Sequence, residues 1–515
     1  MIIKNIFIIA LFFCHSFSQD YLWPVQAEKE LTAVFGEERP GRYHTGIDVR
    51  TFGEIGYKLI AIDDGYISRI RTSSKGYGKT IYLKLNDGNM AVYAHLDHFT
   101  PELDNLVNAL HQHYGKYTID HKIEPNDHPV KKGDIIGYSG DTGSVSGPHL
   151  HFEIRDDDGQ PLNPFRHSLD ISDDLPPEVT SLAIIPLNEK AEIEGFSEQK
   201  IYSLQKINAK KYVLADTIFV SGNIGFAVKA IDKISGQYFN FGIYSINLMV
   251  DDQFIYSMQY NTINWENASK IYTERSYSLS RGGYGQFYHI FSHHNNQELP
   301  FINEKSRPGY IFDQKVFHDA IINIQDYAEN TIEIRAYFIS DTLPRFDYST
   351  HFQDNECKII FNNDQVVKPQ FFLTGPHSKD QIIPTEYFDM GNSTYLIENI
   401  IPPLNVIQIS GKNNVGISSQ PTFHMKPQQD FKNAEGELKI KHYEHGIIIT
   451  FKEKIFSGLD AYLSIKKQGI MYSHELKRDS KLTLSSHYLT PMELKNAQEL
   501  KVYYESYPPY EIFSM

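Results

Sequence analysis

Apolar and polar residues alternate over short stretches in the first third of the chain, which predicts β-strands joined by tight turns. Residues 80–85 and 90–94 alternate in this way on either side of the polar turn 86–89, so they predict a hairpin. Residues 130–137 predict a turn that leads into a strand, and residues 149–154 predict a further strand. We therefore expect the N-terminal region to be a β-sheet domain.

Beyond residue 178 the pattern becomes one of short strands separated by polar turns. Representative runs are residues 218–221, 225–230, 244–250 and 332–338. Such spacing is typical of β-sandwiches. Residues 230–233 and 324–330 also resemble, loosely, the strand ends of secreted immunoglobulin-like modules.

The chain has 515 residues, too many for one hydrophobic core, so we expect several domains and an all-β fold. Residues 168–180 contain Asp, Ser and Pro in the composition of a linker, and further breaks are placed near residues 345 and 428. The predicted organisation is a signal peptide over 1–18, a β-sheet domain over 19–170, an immunoglobulin-like β-sandwich over 178–345, a β-sandwich module over 346–427 and a C-terminal β module over 428–515.

The N-terminus has the features of a secretory signal peptide. Lys4 supplies positive charge, and residues 6–13 form an apolar run that is too short to span a bilayer. Residues 16–18 place small side chains two apart, which suits cleavage before Gln19. We therefore expect an exported protein, in the periplasm, the cell envelope or the extracellular space, with no transmembrane segment after cleavage.

Composition narrows the classes of function. The formal charge is -15, and removal of residues 1–18, which contain one Lys and no Asp or Glu, changes it to -16. A strongly negative chain without Lys/Arg clusters excludes nucleic acid as a partner. After cleavage Cys357 is the single cysteine, so no disulfide within the chain stabilises the fold. The 34 Tyr and 32 Phe favour β-structure over helix.

Four histidines and one aspartate indicate a hydrolytic zinc site. His44 and Asp48 flank Thr-Gly-Ile, His95 follows Tyr-Ala, and the segment Pro-His-Leu-His-Phe-Glu contains His149 and His151. Alternate residues of a strand share a face, so His149 and His151 are expected to face one cleft. Zinc binds imidazole nitrogen and carboxylate oxygen, and a hydrolytic zinc keeps one position open for water.

Residues 30–165 resemble the LytM/lysostaphin-type zinc endopeptidases of peptidase family M23. The matching segments are Phe35-Gly36, His44-Thr-Gly-Ile-Asp48, Ala61-Ile-Asp-Asp-Gly65, Gly76-Tyr-Gly78, Tyr93-Ala-His95-Leu, Val130-Lys-Lys-Gly-Asp-Ile-Ile-Gly137, Ser139-Gly140 and Gly147-Pro-His-Leu-His-Phe-Glu153. The resemblance implies zinc ligation by His44, Asp48 and His151. It also implies that His95 and His149 are the catalytic histidines beside the open coordination position.

The resemblance implies a secreted zinc metalloendopeptidase that hydrolyses peptide bonds in the stem or cross-bridge peptides of peptidoglycan. Zinc would acidify its bound water and polarise the scissile carbonyl. One of His95 and His149 would take the water proton and protonate the leaving amine, and the other would stabilise the oxyanion. The sequence leaves open which of the two is the base.

Two other functions agree with parts of the sequence. A non-catalytic M23-like scaffold would bind cell wall or activate a partner amidase, although the presence of all five site residues favours an enzyme. A lipoyl- or biotin-type carrier would share the hairpin of residues 130–137, but no Met-Lys-Met-like turn is present. The β modules after residue 178 carry no catalytic motif and are expected to bind a wall or protein partner.

The connection between the second and third motifs, residues 98–129, is longer than we expect for the family. Residues 106–110 predict a short helix within it. Two hypotheses remain for this insertion and its histidines: a lid or second metal site at the cleft, or a solvated surface insertion. The histidines meant are His111, His113, His121 and His128.

Overall fold

A computed structural model gives the fold, and its described residues form an all-β protein, as predicted. The described residues are 21–125, 127–167, 169, 171–188, 190–293, 296–312, 316–341, 346–362, 369–412, 418–426, 436–443, 446–486, 489–504 and 510–514. The predicted signal peptide and the predicted breaks near residues 345 and 428 lie outside them. The limits assigned to the domains stay predictions.

The first sheet is antiparallel, and its main path runs β1-β4-β12-β8-β7-β6-β10, while β2 and β3 form a separate pair. The elements of this region are β1 (Leu31–Ala33), β2 (Glu38–Arg39), β3 (Arg42–Tyr43), β4 (Ile47–Arg50), β5 (Lys58–Ile60), β6 (Gly65–Thr72), β7 (Lys79–Leu85), β8 (Met90–Phe99), α1 (Pro101–Tyr114), β9 (Ile119–Lys122), β10 (Pro129–Val130), β11 (Ile135–Ser139), β12 (His149–Arg155), β13 (Pro161–Leu162) and a 3₁₀ helix (Pro164–Arg166). The predicted hairpin is confirmed as β7 and β8.

The second sheet has a main path that runs β16-β14-β19-β25-β24-β20-β21. The elements of this region are β14 (Glu178–Pro186), β15 (Glu192–Ile193), β16 (Lys200–Ser203), β17 (Gln205–Asn208), β18 (Lys211–Val213), β19 (Ile218–Ile231), β20 (Ser245–Val250), β21 (Gln253–Gln259), α2 (Ile271–Glu274), α3 (Tyr277–Arg281), β22 (Tyr288–His289), β23 (Tyr310–Phe312), β24 (Phe317–Gln325) and β25 (Thr331–Ser340).

The described residues of the last part of the chain form three further sheets, ordered β26-β27-β31-β30, β29-β28-β32-β33 and β34-β35-β38-β37-β36-β39-β40. Their elements are β26 (Tyr348–Gln353), β27 (Glu356–Phe361), β28 (Gln370–Thr374), β29 (Ile383–Pro384), β30 (Phe388–Gly391), β31 (Thr394–Ile397), β32 (Val406–Ser410), β33 (Thr422–Met425), β34 (Gly436–Tyr443), β35 (Gly446–Glu453), β36 (Ala461–Lys467), β37 (Ile470–Ser480), β38 (Thr483–Ser485), α4 (Pro491–Leu494), β39 (Glu499–Tyr504) and β40 (Tyr510–Ser514).

Strand β12 has one face toward the hydrophobic core and one polar face. Leu150, Phe152 and Ile154 enter the hydrophobic core. Because side chains alternate along a strand, the intervening His149 and His151 point to the opposite face. Burial of Leu150, Phe152 and Ile154 therefore fixes the direction in which His149 and His151 point.

The first and second regions share their cores. Phe35 and Tyr43 of the first region are fully buried in the hydrophobic cluster of the second sheet. In return, Ile234 and Phe241 of the second region pack into the core of the first. Exchanged apolar side chains of this kind hold two units in a defined orientation, because separating them would expose the side chains to water.

One strand of the second region is longer than the sequence pattern predicts. Two strands, 218–221 and 225–230, were expected, but β19 runs continuously through both. Gly222 has φ of 74° and lies against the backbone of Ala191. Because the neighbouring β14, β15 and β23 pair with β19 along its length, the sheet carries the strand through the polar residues that looked like a turn.

The helices of the described residues are short, and the longest of them lies in the insertion of the first region. The short helix predicted over 106–110 is the 14-residue α1, which packs on the sheet through Leu103 and Val107. The helices α2, α3 and α4 have four or five residues each. Within the described residues, none of the helices combines the length and the apolar character needed to cross a membrane.

Candidate metal centre

Strands β4 and β12 bring three ligand-type side chains together because they are antiparallel neighbours. Their register places Asp48 directly opposite His151, and His44 lies just before β4. Gly46 allows this segment to approach β12, since a Cβ here would lie 2.3 Å from the carbonyl oxygen of Phe152. The glycine of the first motif is therefore a requirement of the site.

A bulge in β8 places the side chain of His95 beside these three residues. The pairing of β7 with β8 shifts register between residues 79 and 81, so β8 holds one extra residue at this point. His95 lies in the bulge with φ of 64°, a conformation that few residues other than glycine adopt. Its ring lies 4.9 Å from the ring of His149, centroid to centroid, so the bulge adds His95 to the cleft.

The ligand-type atoms of His44, Asp48 and His151 converge on one point. Asp48 Oδ1 lies 3.1 Å from His44 Nε2 and 2.9 Å from His151 Nδ1. The two nitrogens are 3.1 Å apart. A tetrahedral zinc with bonds of about 2.0–2.1 Å separates its ligand atoms by about 3.3 Å. The three atoms therefore form a face of the size that zinc needs.

His44 and His151 each have an outer ring nitrogen, which is the one that faces away from the cluster. The hydrogen bonds of these outer nitrogens determine which nitrogens are available to a metal. His44 Nδ1 lies 2.8 Å from the carbonyl oxygen of Val34, and His151 Nε2 lies 2.8 Å from a carboxylate oxygen of Glu153. These oxygens accept, so the two nitrogens donate, and in neutral rings His44 Nε2 and His151 Nδ1 carry no proton. Three buried acceptors that face one another need a shared cation, and the donor set suits zinc.

The charges around His151 also favour a cation. Burial lowers the pKa of His151, but its hydrogen bonds to Asp48 and Glu153 outweigh this and raise it to about 9. Burial raises the pKa of Asp48, yet His44 and His151 hold it well below its usual range. Burial likewise raises the pKa of Glu153, but Arg155 and His151 lower it to about 2. Both carboxylates are thus ionised at neutral pH and draw a proton or a metal onto the site.

The sequence patterns predict no role for Glu153, although it ends the segment that contains His149 and His151. It is fully buried and accepts hydrogen bonds from His151, from Thr45 Oγ1 at 2.8 Å and from the hydroxyl of Tyr77. Arg155 pairs with its second oxygen at 2.6 Å. The sequence contains one sign of this role, because a residue two positions after His151 lies on the same face of the strand. Ligand histidines usually donate their outer N–H to a carboxylate or carbonyl, and Glu153 is placed to accept it.

His95 and His149 are held in a similar way by backbone carbonyls. His95 Nδ1 lies 2.9 Å from the carbonyl oxygen of Thr142, and His149 Nδ1 lies 2.9 Å from that of Gly147. Each Nδ1 therefore donates, which leaves Nε2 as the nitrogen that can accept a proton. His149 Nε2 is 3.7 Å from Asp48 Oδ1. Burial, and then the neighbouring imidazoles, lower the pKa of His95 to about 3.

These side chains line a cleft of about 450 Å³, to which the second region contributes a wall. Arg39 closes on the site and pairs with Asp48 Oδ2 at 2.5 Å. Trp265 and Ala268 belong to the second region and also line the cleft. Trp265 Nε1 donates to the carbonyl oxygen of Gly159 at 2.7 Å. No local signal in the sequence connects these two residues with the site.

The insertion lies away from the cleft in the part of the chain that the structure describes. None of its described residues lines the cleft, and none of its described histidines belongs to a metal-type cluster there. His111 instead lies 3.1 Å from the hydroxyl of Thr72. For the described residues, the geometry supports a surface insertion and gives no support to a lid or a second metal site.

The comparison with family models matches peptidase family M23 to residues 42–164. That range includes all five predicted site residues.

Curated relatives are similar over the same region. The DD-carboxypeptidase/endopeptidase Mpg of Neisseria meningitidis is 33% identical over 123 residues, which are 24% of this chain and 22% of that protein. The murein hydrolase activator NlpD of Escherichia coli is 32% identical over 145 residues, 28% of this chain and 30% of that protein. The similarity thus spans less than a third of either relative's length.

Among solved structures, the catalytic domain of the antimicrobial peptidase lysostaphin from Staphylococcus simulans is similar to this chain. The sequence identity is 28%, the match covers 26% of this chain and 89% of that chain, and the TM-score is 0.20.

Proposed function

Residues 42–164 form a domain of peptidase family M23, and we propose that this domain is a zinc metalloendopeptidase that hydrolyses peptide bonds in the stem or cross-bridge peptides of peptidoglycan. In this proposal His44, Asp48 and His151 bind zinc. One of His95 and His149 transfers protons during hydrolysis, and the other stabilises the oxyanion.

One observation carries the proposal: three atoms of zinc-ligand type face one another at the spacing that zinc needs, beside two histidines whose Nε2 atoms are available. The acceptors belong to His44, Asp48 and His151, and lie 2.9–3.1 Å apart. A scaffold that only binds wall has no need for buried acceptors in this arrangement or for two further imidazoles beside them. The arrangement therefore favours hydrolysis over simple binding.

Zinc, when bound, would acidify water and polarise the carbonyl of the peptide bond. The hydrogen bonds of His95 and His149 to backbone carbonyls fix both rings before substrate arrives. A neutral imidazole held in this way can accept a proton at Nε2 and return it to the leaving amine. Glu153 acts through His151, because its carboxylate orients that ring and increases its basicity.

Peptidoglycan peptides are proposed as the substrate because one curated relative is by name a DD-carboxypeptidase/endopeptidase, and the other is by name an activator of murein hydrolases. Arg42 lines the cleft and offers positive charge to a peptide that carries carboxylates. The proposed location is the cell envelope, after export. The β modules beyond residue 178 are proposed to bind wall or a protein partner.

The test is digestion of purified peptidoglycan and of soluble muropeptides by the zinc-loaded full chain, with products identified by mass spectrometry. We expect new peptide ends without cleavage of the glycan. His149→Ala should keep its zinc and lose about 10²–10⁴-fold in rate, because it removes a positioned acid–base group and no ligand.

Two outcomes would contradict the proposal. Wild-type protein that carries zinc, cleaves no peptide and stimulates a purified amidase would be an activator, the function that the relative NlpD has by name. Loss of zinc together with activity in His149→Ala would make His149 a ligand and reverse the assigned roles.

A further inference from the structure

Three aspartates meet where the first region joins the second, away from the zinc site. Asp173 belongs to the segment before β14, Asp232 directly follows β19, and Asp326 directly follows β24. Carboxylate oxygens of the three lie within 4.8 Å of one another. Carboxylates this close repel one another unless a cation or protons lie between them.

Neutral donors hold two of the carboxylates in place. Asp173 Oδ1 accepts from the backbone N–H of Ser235 at 2.8 Å and from its hydroxyl at 2.9 Å. Asp326 accepts from the backbone N–H and the side-chain amide of Asn330, at 2.8 and 2.9 Å. The same amide donates to the carbonyl oxygen of Asp173 at 3.1 Å. These hydrogen bonds fix the positions of the Asp173 and Asp326 carboxylates. Because the donors are neutral, they do not compensate the negative charge of the cluster.

The third carboxylate has an oxygen without any partner among the described residues. Asp232 is 1% exposed, and its Oδ1 is buried and makes no hydrogen bond. Asp232 and Asp173 both line a cavity of about 420 Å³. A buried carboxylate oxygen without a partner is costly, so its presence beside a cavity points to a ligand that the oxygen would contact.

Charges around the cavity reinforce this conclusion. Asp174 and Glu329 add two carboxylates to its lining, whereas Arg166 adds a single positive charge and is paired with Glu329 at 3.3 Å. In the described part of the chain no basic side chain forms an ion pair with the three clustered aspartates. Burial, and then Asp326 and Asp173, raise the pKa of Asp232 to about 8, which reflects the uncompensated charge.

We propose that Asp173, Asp232 and Asp326 bind a divalent cation, and that this cation is calcium. The three aspartates supply oxygen ligands only, which hard cations prefer, whereas zinc sites in proteins usually include nitrogen or sulfur. Calcium takes 6–8 oxygen ligands, so it would complete its shell with carbonyl groups and with water from the cavity. Asp232 Oδ1 then acquires the partner that the protein does not provide.

The position of the site defines its consequence. Asp173 lies in the segment that connects the two regions, whereas Asp232 and Asp326 end two strands of the second sheet. A cation between them ties the connecting segment to that sheet, which also carries Trp265 and Ala268 into the cleft. Calcium would therefore stabilise the orientation of one cleft wall, and its binding does not depend on the peptidase activity.

The test is calorimetric titration of calcium chloride into zinc-loaded full-length protein in calcium-free buffer, together with thermal unfolding. We expect one calcium per chain and a rise in Tm on calcium addition. Asp232→Asn should weaken binding on the order of 10-fold or more, because it removes a charged ligand. Asp174→Asn is the matched control, since Asp174 lines the same cavity outside the cluster, and it should bind as wild type does. His151→Ala should also bind calcium normally, which separates this site from the zinc site.

The proposal is overturned if wild type shows neither binding heat nor a Tm shift with millimolar calcium, or if Asp232→Asn binds calcium as tightly as wild type. Should Asp232→Asn fail to fold, Asp326→Asn and terbium luminescence of the wild-type protein take its place. Terbium emission that calcium displaces supports the site, and emission that calcium leaves unchanged rejects it. If calcium has no effect and Asp232→Asn alone raises stability above pH 8, protons neutralise the cluster and no cation binds.

Discussion

At the scale of single residues, the outer nitrogens of the histidines decide the chemistry of the proposed zinc site. His44 and His151 use opposite ring nitrogens toward the metal position, Nε2 in one and Nδ1 in the other. The choice follows from the acceptor on the far side of each ring, a carbonyl of Val34 and a carboxylate of Glu153. Each ring is thereby oriented before a metal arrives.

His151→Ala is expected to lose stoichiometric zinc, because only two of the three proposed ligands remain. Metal analysis of the purified and dialysed variant measures this directly. His149→Ala is the matched control, since His149 lies on the same face of the same strand and is proposed not to bind the metal. Stoichiometric zinc at this site in His151→Ala would contradict the ligand assignment.

Glu153→Gln is expected to weaken zinc binding by about 10–100-fold, as removal of an outer-shell carboxylate typically does. It also leaves the largely buried Arg155 without its ionic partner, so Tm should fall. Competition with a chromogenic chelator gives the affinity. Glu30→Gln removes the partner of Arg50 in a more exposed ion pair of the same sheet and should change neither quantity much. Unchanged zinc affinity in Glu153→Gln would remove the proposed positioning role.

At the scale of elements, the turn between β1 and β2 links the cleft to the second region. Glu37 Oε1 accepts from the backbone N–H of Val34 and from that of Gly242, each at 3.1 Å. Burial raises the pKa of Glu37 from 4.5 to about 7, although Arg39 and these hydrogen bonds oppose the shift. The carboxyl group of Glu37 thus connects this turn to the second region, and its pKa lies near neutrality.

Glu37→Gln is expected to stabilise the protein in alkaline solution only. A folded-state pKa above the unfolded value means that the neutral group contributes stability below pH 4.5, and that this stability is lost as the pH rises through about 7. Glutamine is neutral throughout, so the variant should gain about 1–3 kcal/mol at pH 8 and nothing near pH 4. Urea unfolding at both pH values measures the difference. A gain that is equal at both would show that Glu37 does not titrate as described.

At the scale of the whole molecule, the first region and the second sheet behave as one packed body. Phe35 and Tyr43 cross into the second core, and the ring of Tyr43 packs edge-on against Phe301 with centroids 5.3 Å apart. Trp265 crosses in the other direction and lies over Arg155, 4.8 Å from its guanidinium carbon. The cleft is therefore a product of both regions.

Removal of residues 171–515 is expected to destabilise the first region. Removal of residues 342–515 should leave the Tm of the first region close to its value in the full chain. The shorter fragment exposes Phe35 and Tyr43, at about 1.5–3 kcal/mol for each side chain. The longer fragment keeps both regions and is the matched control. Calorimetry of zinc-loaded fragments measures the change. Equal Tm values for the two fragments would show that the shared core does not stabilise the first region.

Much of the candidate site follows from short-range patterns. The alternation around His149 and His151 predicts a strand with both rings on one face, and the structure has that strand as β12. The hairpin of β7 and β8 follows from two alternating runs and a polar turn. A strand has a period of two, so a few residues suffice to fix which side chains face the core.

The sequence by itself determined the all-β class and the five residues proposed for the chemistry, because alternation and motif spacing are local properties of the chain. Only the tertiary structure decided that a bulge adds His95 to the cleft, that Trp265 forms part of its wall, and that Asp173, Asp232 and Asp326 meet. These features depend on strand register and on packing between sheets. Residues far apart in the chain become neighbours only when their apolar faces are buried against one another, and no short window of sequence contains that information.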